Sequence, residues 1–210
     1  MGERAAAGGG KWVDVAPERL ARWLENFERR HGPYRETGLT LTAADGASAT
    51  WLTPPGADEV TTLTELIETA QRPRTLGLLL ARKGAVAVGI AEGPKLIASK
   101  VDTHYVQGRT AAGGWSQQRF ARRRDNQAKA AAADGAGIVG RILLPNVRAM
   151  AALVTGGDHA AVAAILAAPQ LAPLAAVRAE RFLDVPEPRH AVLVSAIAGA
   201  RAVSVLVKEP

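Results

Sequence analysis

Thr75-Leu76-Gly77-Leu78-Leu79-Leu80-Ala81, Ala85-Val86-Ala87-Val88-Gly89-Ile90-Ala91 and Leu96-Ile97-Ala98-Ser99-Lys100-Val101 are three short apolar runs in quick succession. Arg82-Lys83-Gly84 and Glu92-Gly93-Pro94 separate them, and both separators are rich in turn formers. Runs of this length between such turns read as strands, and connections this short require antiparallel neighbours. A three-stranded meander is therefore the expected scaffold, and the rest of the chain is read outward from it.

Upstream, Met1 to Gly10 is rich in Gly and Ala and reads as a disordered tail. Residues 11–37 form an N-terminal helical segment built on an amphipathic helix from Ala16 to His31. Pro17 stands early in it, where its missing N–H costs nothing, and Gly32 can cap the far end. Leu20, Trp23, Leu24 and Phe27 recur at helical spacing and are expected to pack. Gly38 to Leu52 alternates about Asp45-Gly46, a hairpin signal, and Val60 to Gln71 reads as a helix.

Downstream of the meander, a polar, glycine-rich linker covers Gln107 to Trp115. A helix starts near Ser116, an N-cap candidate, and can run as far as Leu144, ahead of Pro145. Gly135, Gly137 and Gly140 each weaken it by about 1 kcal/mol relative to Ala, which allows a break there. A short buried strand at Ala151 to Thr155 leads through Gly156-Gly157 to Asp158, the expected cap of a helix from Ala160 to Ala168. A helix near Arg189 to Ala200 and a strand from Ala202 to Val207 close the chain. Alternation of this kind predicts the α/β class, a mixed sheet with packed helices, with residues 38–210 as one domain.

The 210 residues are 48% apolar, enough for a real core, but only 4% aromatic, so that core rests on Ala, Val, Leu and Ile. The absence of cysteine excludes disulfides, thiolate metal sites and a Cys nucleophile. No run of 18 apolar residues and no hydrophobic leader segment is present, so no membrane partner is expected and cytoplasmic residence is. The formal charge is +6, and it is concentrated. Between Arg109 and Lys129 lie Arg119, Arg122, Arg123 and Arg124, with Asp125 the one acid. Such a window attracts a phosphate-rich partner, although a solvated helix face has the same composition.

The segment Gly113-Gly114-Trp115-Ser116-Gln117-Gln118-Arg119-Phe120-Ala121-Arg122-Arg123-Arg124 carries the functional argument. A glycine pair ahead of a helix can adopt backbone angles denied to other residues. The helix start offers unpaired N–H groups and partial positive charge to an anion. Arg119, Arg122 and Arg123 stand at i, i+3 and i+4, so they share a face fit to hold a phosphate backbone, and Lys129 extends it. No Gly-Lys-Ser/Thr ending makes this a nucleotide P-loop, no G-x-G-x-x-G follows a strand, and no nucleotide or other cofactor is expected.

Gly113-Gly114, Ser116 and Arg119-Phe120-Ala121-Arg122 closely resemble the Gly-Gly-Gln motif and following helix of eukaryotic and archaeal class-I peptide release factors. Gln117 directly after Ser116 resembles the Gly-Ser-Gln variant of Vms/ANKZF-type ribosome-rescue hydrolases. With the later Ala152-Leu153-Val154-Thr155-Gly156-Gly157-Asp158 segment, the chain looks like the actinobacterial, Vms-like release factor branch of that group. The resemblance implies the fold of the release-factor catalytic domain and hydrolysis of the peptidyl-tRNA ester on stalled ribosomes. The implied partners are peptidyl-tRNA, the large ribosomal subunit and its rRNA. Aligned without a gap, the family's glutamine falls on Trp115; a one-residue insertion places Gln117 there, and Gln118 is the neighbouring alternative. The implied catalytic group is Gly113, Gly114, Ser116, Gln117 and Gln118. Arg109, Trp115, Arg119, Arg122, Arg123, Arg124 and Lys129 would contact RNA. The implied tip, Gly113 to Gln118, is expected to be loosely held in the free protein. Trp115 fits base stacking and anchoring of the segment equally well.

Other candidates are weaker. His31, His104, His159 and His190 form no metal-ligand spacing, so no metal is expected. His104-Tyr105 reads as strand-end packing, Asp102 as a turn or capping residue, Ser195 as an ordinary helix residue, and Asp184 to Pro188 as a rigid connector. Cleavage of tRNA near its acceptor end, which the Vms-type resemblance also leaves open, and RNA binding without catalysis are the alternative functions.

Overall fold

The computed structural model describes residues 3–82, 84–103 and 116–210, with 116–126 described by their backbone. In chain order the elements begin with β1 (Glu3–Ala5), β2 (Lys11–Val15) and a 3-10 turn (Pro17–Arg19) leading into α1 (Leu20–His31). Then come β3 (Tyr34–Thr37), β4 (Thr40–Ala43), β5 (Ser48–Leu52) and α2 (Leu63–Gln71). The centre is β6 (Thr75–Arg82), β7 (Ala85–Glu92), β8 (Lys95–Thr103) and α3 (Ser116–Leu143). The chain closes with β9 (Ala152–Gly157), α4 (His159–Leu166), a 3-10 segment (Pro169–Val177), β10 (Arg178–Leu183), α5 (His190–Arg201) and β11 (Val203–Lys208).

The expected α/β class is observed, but with two sheets where the sequence suggests one. Two compact units divide the chain: residues 1–74 with 198–210, and residues 75–197. The sequence suggests a single domain over 38–210. The division falls instead at the end of α2, because β11 returns to pair antiparallel with both β2 and β5.

The first unit is a six-stranded antiparallel sheet in the order β1-β2-β11-β5-β4-β3. Alternation supplies its buried face: Val13 and Val15, Leu41 and Ala43, Ala49 and Trp51, and Val203, Val205 and Val207. Leu20 and Phe27 of α1 and Leu63, Leu66 and Ala70 of α2 complete this core. Where a disordered tail is expected, Glu3–Ala5 is a strand, and Gly8, Gly9 and Gly10 take positive φ in the turn that folds it onto β2. The segment 11–37, expected to be helical, also contributes the strands β2 and β3. Gly32 ends α1 at φ 82°, as its position suggests.

The second unit is a five-stranded mixed sheet in the order β10-β9-β6-β7-β8. The predicted meander is present, β6 to β7 to β8, all antiparallel. β9 adds parallel to β6, and β10 adds parallel to β9. β6 is buried along nearly its whole length, as a strand with helices on both faces must be. Val139 and Leu143 of α3 and Val162 and Ile165 of α4 pack with Leu79, Val88 and Leu153 on one face. On the other, Leu193 of α5 stands 3.1 Å from where a Cβ on Gly89 would lie. The strand β10 and the 3-10 segment before it carry no strong periodicity, and sequence reasoning did not find them.

Candidate nucleic-acid interface

β8 and α3 bracket the segment that the sequence singles out. β8 is one of the two edge strands of the second sheet, and its last residue, Thr103, pairs with Ala85 at the start of β7. The Asp102 carboxylate accepts a hydrogen bond from the Thr103 amide at 3.0 Å; the residue expected in a turn or cap stands inside β8, opposite Val86. A register shift at Ile90/Ala91 leaves Ile97 as an extra residue in β8, with its side chain 60% exposed. Lys95 and Lys100 are exposed on the same strand.

α3 is 28 residues long, or about 42 Å at the standard rise. It is continuous through Gly135, Gly137 and Gly140, so the break that the glycines allow does not occur. Gly135 shows why. A Cβ there would come within 3.1 Å of Ile165 and 3.4 Å of Val86, so the missing side chain lets α3 lie close to α4 and β7. Packing offsets the helix-propensity loss. Ala136, Val139 and Leu143 are buried in this half, while Gln127 to Ala130 are exposed.

Ser116 is the first residue of α3, and Gln117, Gln118, Arg119, Arg122, Arg123 and Arg124 follow in its first turns. Positions 119, 122 and 123 stand at i, i+3 and i+4 of this continuous helix, so they share one side of it. Lys129 is exposed. Arg109, Gly113, Gly114 and Trp115 lie outside the described residues, as do His104-Tyr105 and the side chains of 116–126; of the tip expected to be loosely held, Gly113 to Gln118, the described part is Ser116, Gln117 and Gln118, whose backbone opens α3.

The remaining candidates take structural roles. Asp158 caps α4 as expected, its carboxylate accepting from the Ala161 amide at 2.9 Å, and the helix starts at His159, one residue earlier than expected. Ser195 Oγ donates to the Ala191 carbonyl one turn back. His159 stacks on Phe182 at 3.5 Å between centroids. In the expected connector, Val185 is buried and its carbonyl accepts from Arg82 at 2.9 Å. Among the described residues no group of three His, Asp or Glu could hold a metal ion. No single described helix is long and apolar enough to cross a membrane.

Sequence reasoning missed one feature of this unit. An apolar groove of about 440 Å³ runs beside the middle of α3, lined by Ala128, Ala131 and Ala132 against Ala160, Ala161 and Ala164 of α4. The only signal was alanine at one-turn spacing on both helices, which reads as ordinary packing.

Fold and site together define an α/β protein in which a long, arginine-bearing helix follows an edge strand of a mixed sheet. The chain belongs to the Actinobacteria/chloroflexi VLRF1 release factor family, whose model matches residues 74–206. Its role is that of a release factor in translation, working with the ribosome and tRNA. Among solved structures, the archaeal translation termination factor aRF1 matches at 11% identity and a TM-score of 0.41, covering 88% of this chain and 70% of that one. A structure described as an archaeal protein matches at 12% and 0.42, covering 90% and 74%. No curated protein sequence matches. The family match alone carries the membership.

Proposed function

We infer that the protein hydrolyses the ester of peptidyl-tRNA and so frees nascent chains from stalled ribosomal complexes in the cytoplasm. The observation that carries this reading is Gly113-Gly114-Trp115-Ser116-Gln117 directly ahead of the arginine-bearing turns of α3, within the stretch that the family model matches.

The chemistry follows from what a glutamine can do. Its amide does not titrate near neutral pH, so it is no general base. It can orient a water toward the ester carbonyl, while a backbone N–H meets the developing oxyanion. Water attacks the carbonyl carbon, the bond to the ribose oxygen breaks, and that oxygen leaves protonated. The two glycines let a narrow segment approach an acyl bond surrounded by RNA. Arg119, Arg122, Arg123 and Lys129, with Arg109 and Arg124, hold phosphates of the tRNA and of the large-subunit rRNA. Trp115 either stacks on a base or anchors the segment.

Stalled ribosome–nascent-chain complexes, mixed with wild type or Gln117→Ala and resolved for both peptide and tRNA ends, test the reading. Free peptide with intact tRNA is expected from wild type, and roughly 10²–10³-fold slower release from the variant, the usual cost of one lost transition-state contact. Binding should be retained. Gln118→Ala run in parallel shows which glutamine acts. Shortened tRNA would replace this reading with a nuclease, and unchanged peptidyl-tRNA with a binding protein.

A further inference from the structure

The groove beside α3 ends where Gly135 lets that helix lie against Ile165 of α4 and Val86 of β7. On the N-terminal side of this contact its walls are alanine methyls, Ala128 and Ala131 of α3 facing Ala161 and Ala164 of α4. Alanine stops at Cβ, so about 440 Å³ is left unfilled, inside the roughly 300–1,000 Å³ of small-ligand sites. Two polar side chains join the lining, Arg82 and Asp158. They stand at neighbouring positions, because the Asp158 amide donates to the Ala81 carbonyl at 2.8 Å. Each is fixed by one bond: Arg82 Nη1 donates to the Val185 carbonyl at 2.9 Å, and Asp158 Oδ1 accepts from the Ala161 amide at 2.9 Å. Among the described residues neither side chain has a second partner, and no ion pair joins the two. Arg82 thus keeps N–H groups to donate, and Asp158 keeps Oδ2 and a lone pair of Oδ1 to accept.

We propose that this groove takes an unstacked guanine base of the RNA that α3 contacts, its ring between the alanine walls and its edge on Arg82 and Asp158. Smooth methyl walls accept the apolar faces of a planar heterocycle, and the polar pair selects which one. A guanidinium beside a carboxylate calls for an acceptor next to donors on the same edge. Guanine carries O6 for Arg82, and beside it N1–H and N2–H, two donors for one carboxylate. Uracil brings a single donor to that carboxylate, and adenine and cytosine have an amino group where guanine has O6. Single-stranded RNA is read in this way, by splayed bases bonded on their edges. The approach also suits RNA: position 124, an arginine, precedes Ala128 by one turn of the continuous helix. The assignment rests on the RNA partner of the proposed function and not on ester hydrolysis.

Isotope-labelled alanine methyls, followed by NMR in the free protein, read the groove directly. Titration with GMP should shift the methyls of Ala131, Ala161 and Ala164, at an affinity at least about fivefold above that of AMP, CMP or UMP, the low end for one base-edge contact. Asp158→Asn retains the helix cap, since asparagine caps as well as aspartate, and should erase the preference for GMP. Ala164→Leu, at an exposed position of α4, fills the groove and should remove the GMP shifts. Equal affinity for all four nucleotides, or no methyl response to any, would overturn the assignment. So would GMP shifts that survive Ala164→Leu. Shifts caused by the apolar dye anilinonaphthalene sulfonate but by no nucleotide would also overturn it, in favour of an apolar partner. No ribosome is present in the titration, so its outcome is independent of whether the protein releases peptide.

Discussion

Gly157 occupies the junction of β9 and α4 at φ 99°, and a Cβ there would overlap the Ala81 carbonyl. The same carbonyl accepts from the Asp158 amide at 2.8 Å, so the approach cannot be relaxed without losing that bond and disturbing the cap of α4. Gly157→Ala is expected to cost roughly 2 kcal/mol or more, from the left-handed conformation together with the overlap. Urea denaturation measures it. Leu79, fully buried on β6, belongs to a different regime, in which nothing is strained and only packing is lost. Leu79→Ala should cost about 2–5 kcal/mol, with the m-value unchanged.

Helix ends and helix crossings decide stability at the scale of the element. α2 starts with a capping box: Thr62 Oγ1 accepts from the Glu65 amide at 3.3 Å, and Glu65 Oε2 accepts from the Thr61 and Thr62 amides at 3.0 and 3.2 Å. Thr62→Ala should cost about 1 kcal/mol. The Thr61 amide bond, then that of Thr62, holds the Glu65 carboxyl below its ordinary value. The folded state therefore favours the ionised form. The stability this gives is present at neutral pH, and is lost as pH falls from the unfolded-state value through the lowered folded one. Thermal unfolding of Glu65→Gln against wild type should show a gap at pH 7 that closes in acid. In α3 the decisive position is Gly135. A valine there would push α4 and β7 away, whereas Gly137→Ala, with no atom within 4 Å, should stabilise by up to about 1 kcal/mol.

Charge divides unevenly between the two units of the whole molecule. Residues 1–74 and 198–210 hold 11 Lys and Arg against 12 Asp and Glu, while residues 75–197 hold 15 against 8. The second unit thus carries all of the excess, and RNA attraction should reside there. Each alanine substitution at Arg119, Arg122 or Arg123 should lower the salt slope of RNA binding by about 0.7–0.9, the contribution of one phosphate contact. Arg29→Ala and Arg30→Ala in the first unit should leave it unchanged. Equal effects from both sets, measured by binding titrations at several salt concentrations, would remove α3 from the interface.

The meander, α1 with its Gly32 stop and the Asp158 cap were all legible in the amino-acid order, because each depends on neighbours within a few residues. The reading of the glutamine segment rests on its residue types and on its resemblance to a family motif, not on the surrounding fold. Only the tertiary structure decided that the chain makes two sheets, that β11 closes the first by pairing with β2 and β5, and that α3 runs unbroken across its glycines. Strand partners more than 150 residues apart in sequence, such as Val13 and Val205, leave no local pattern naming one another. A glycine's worth likewise depends on what stands where its side chain would be.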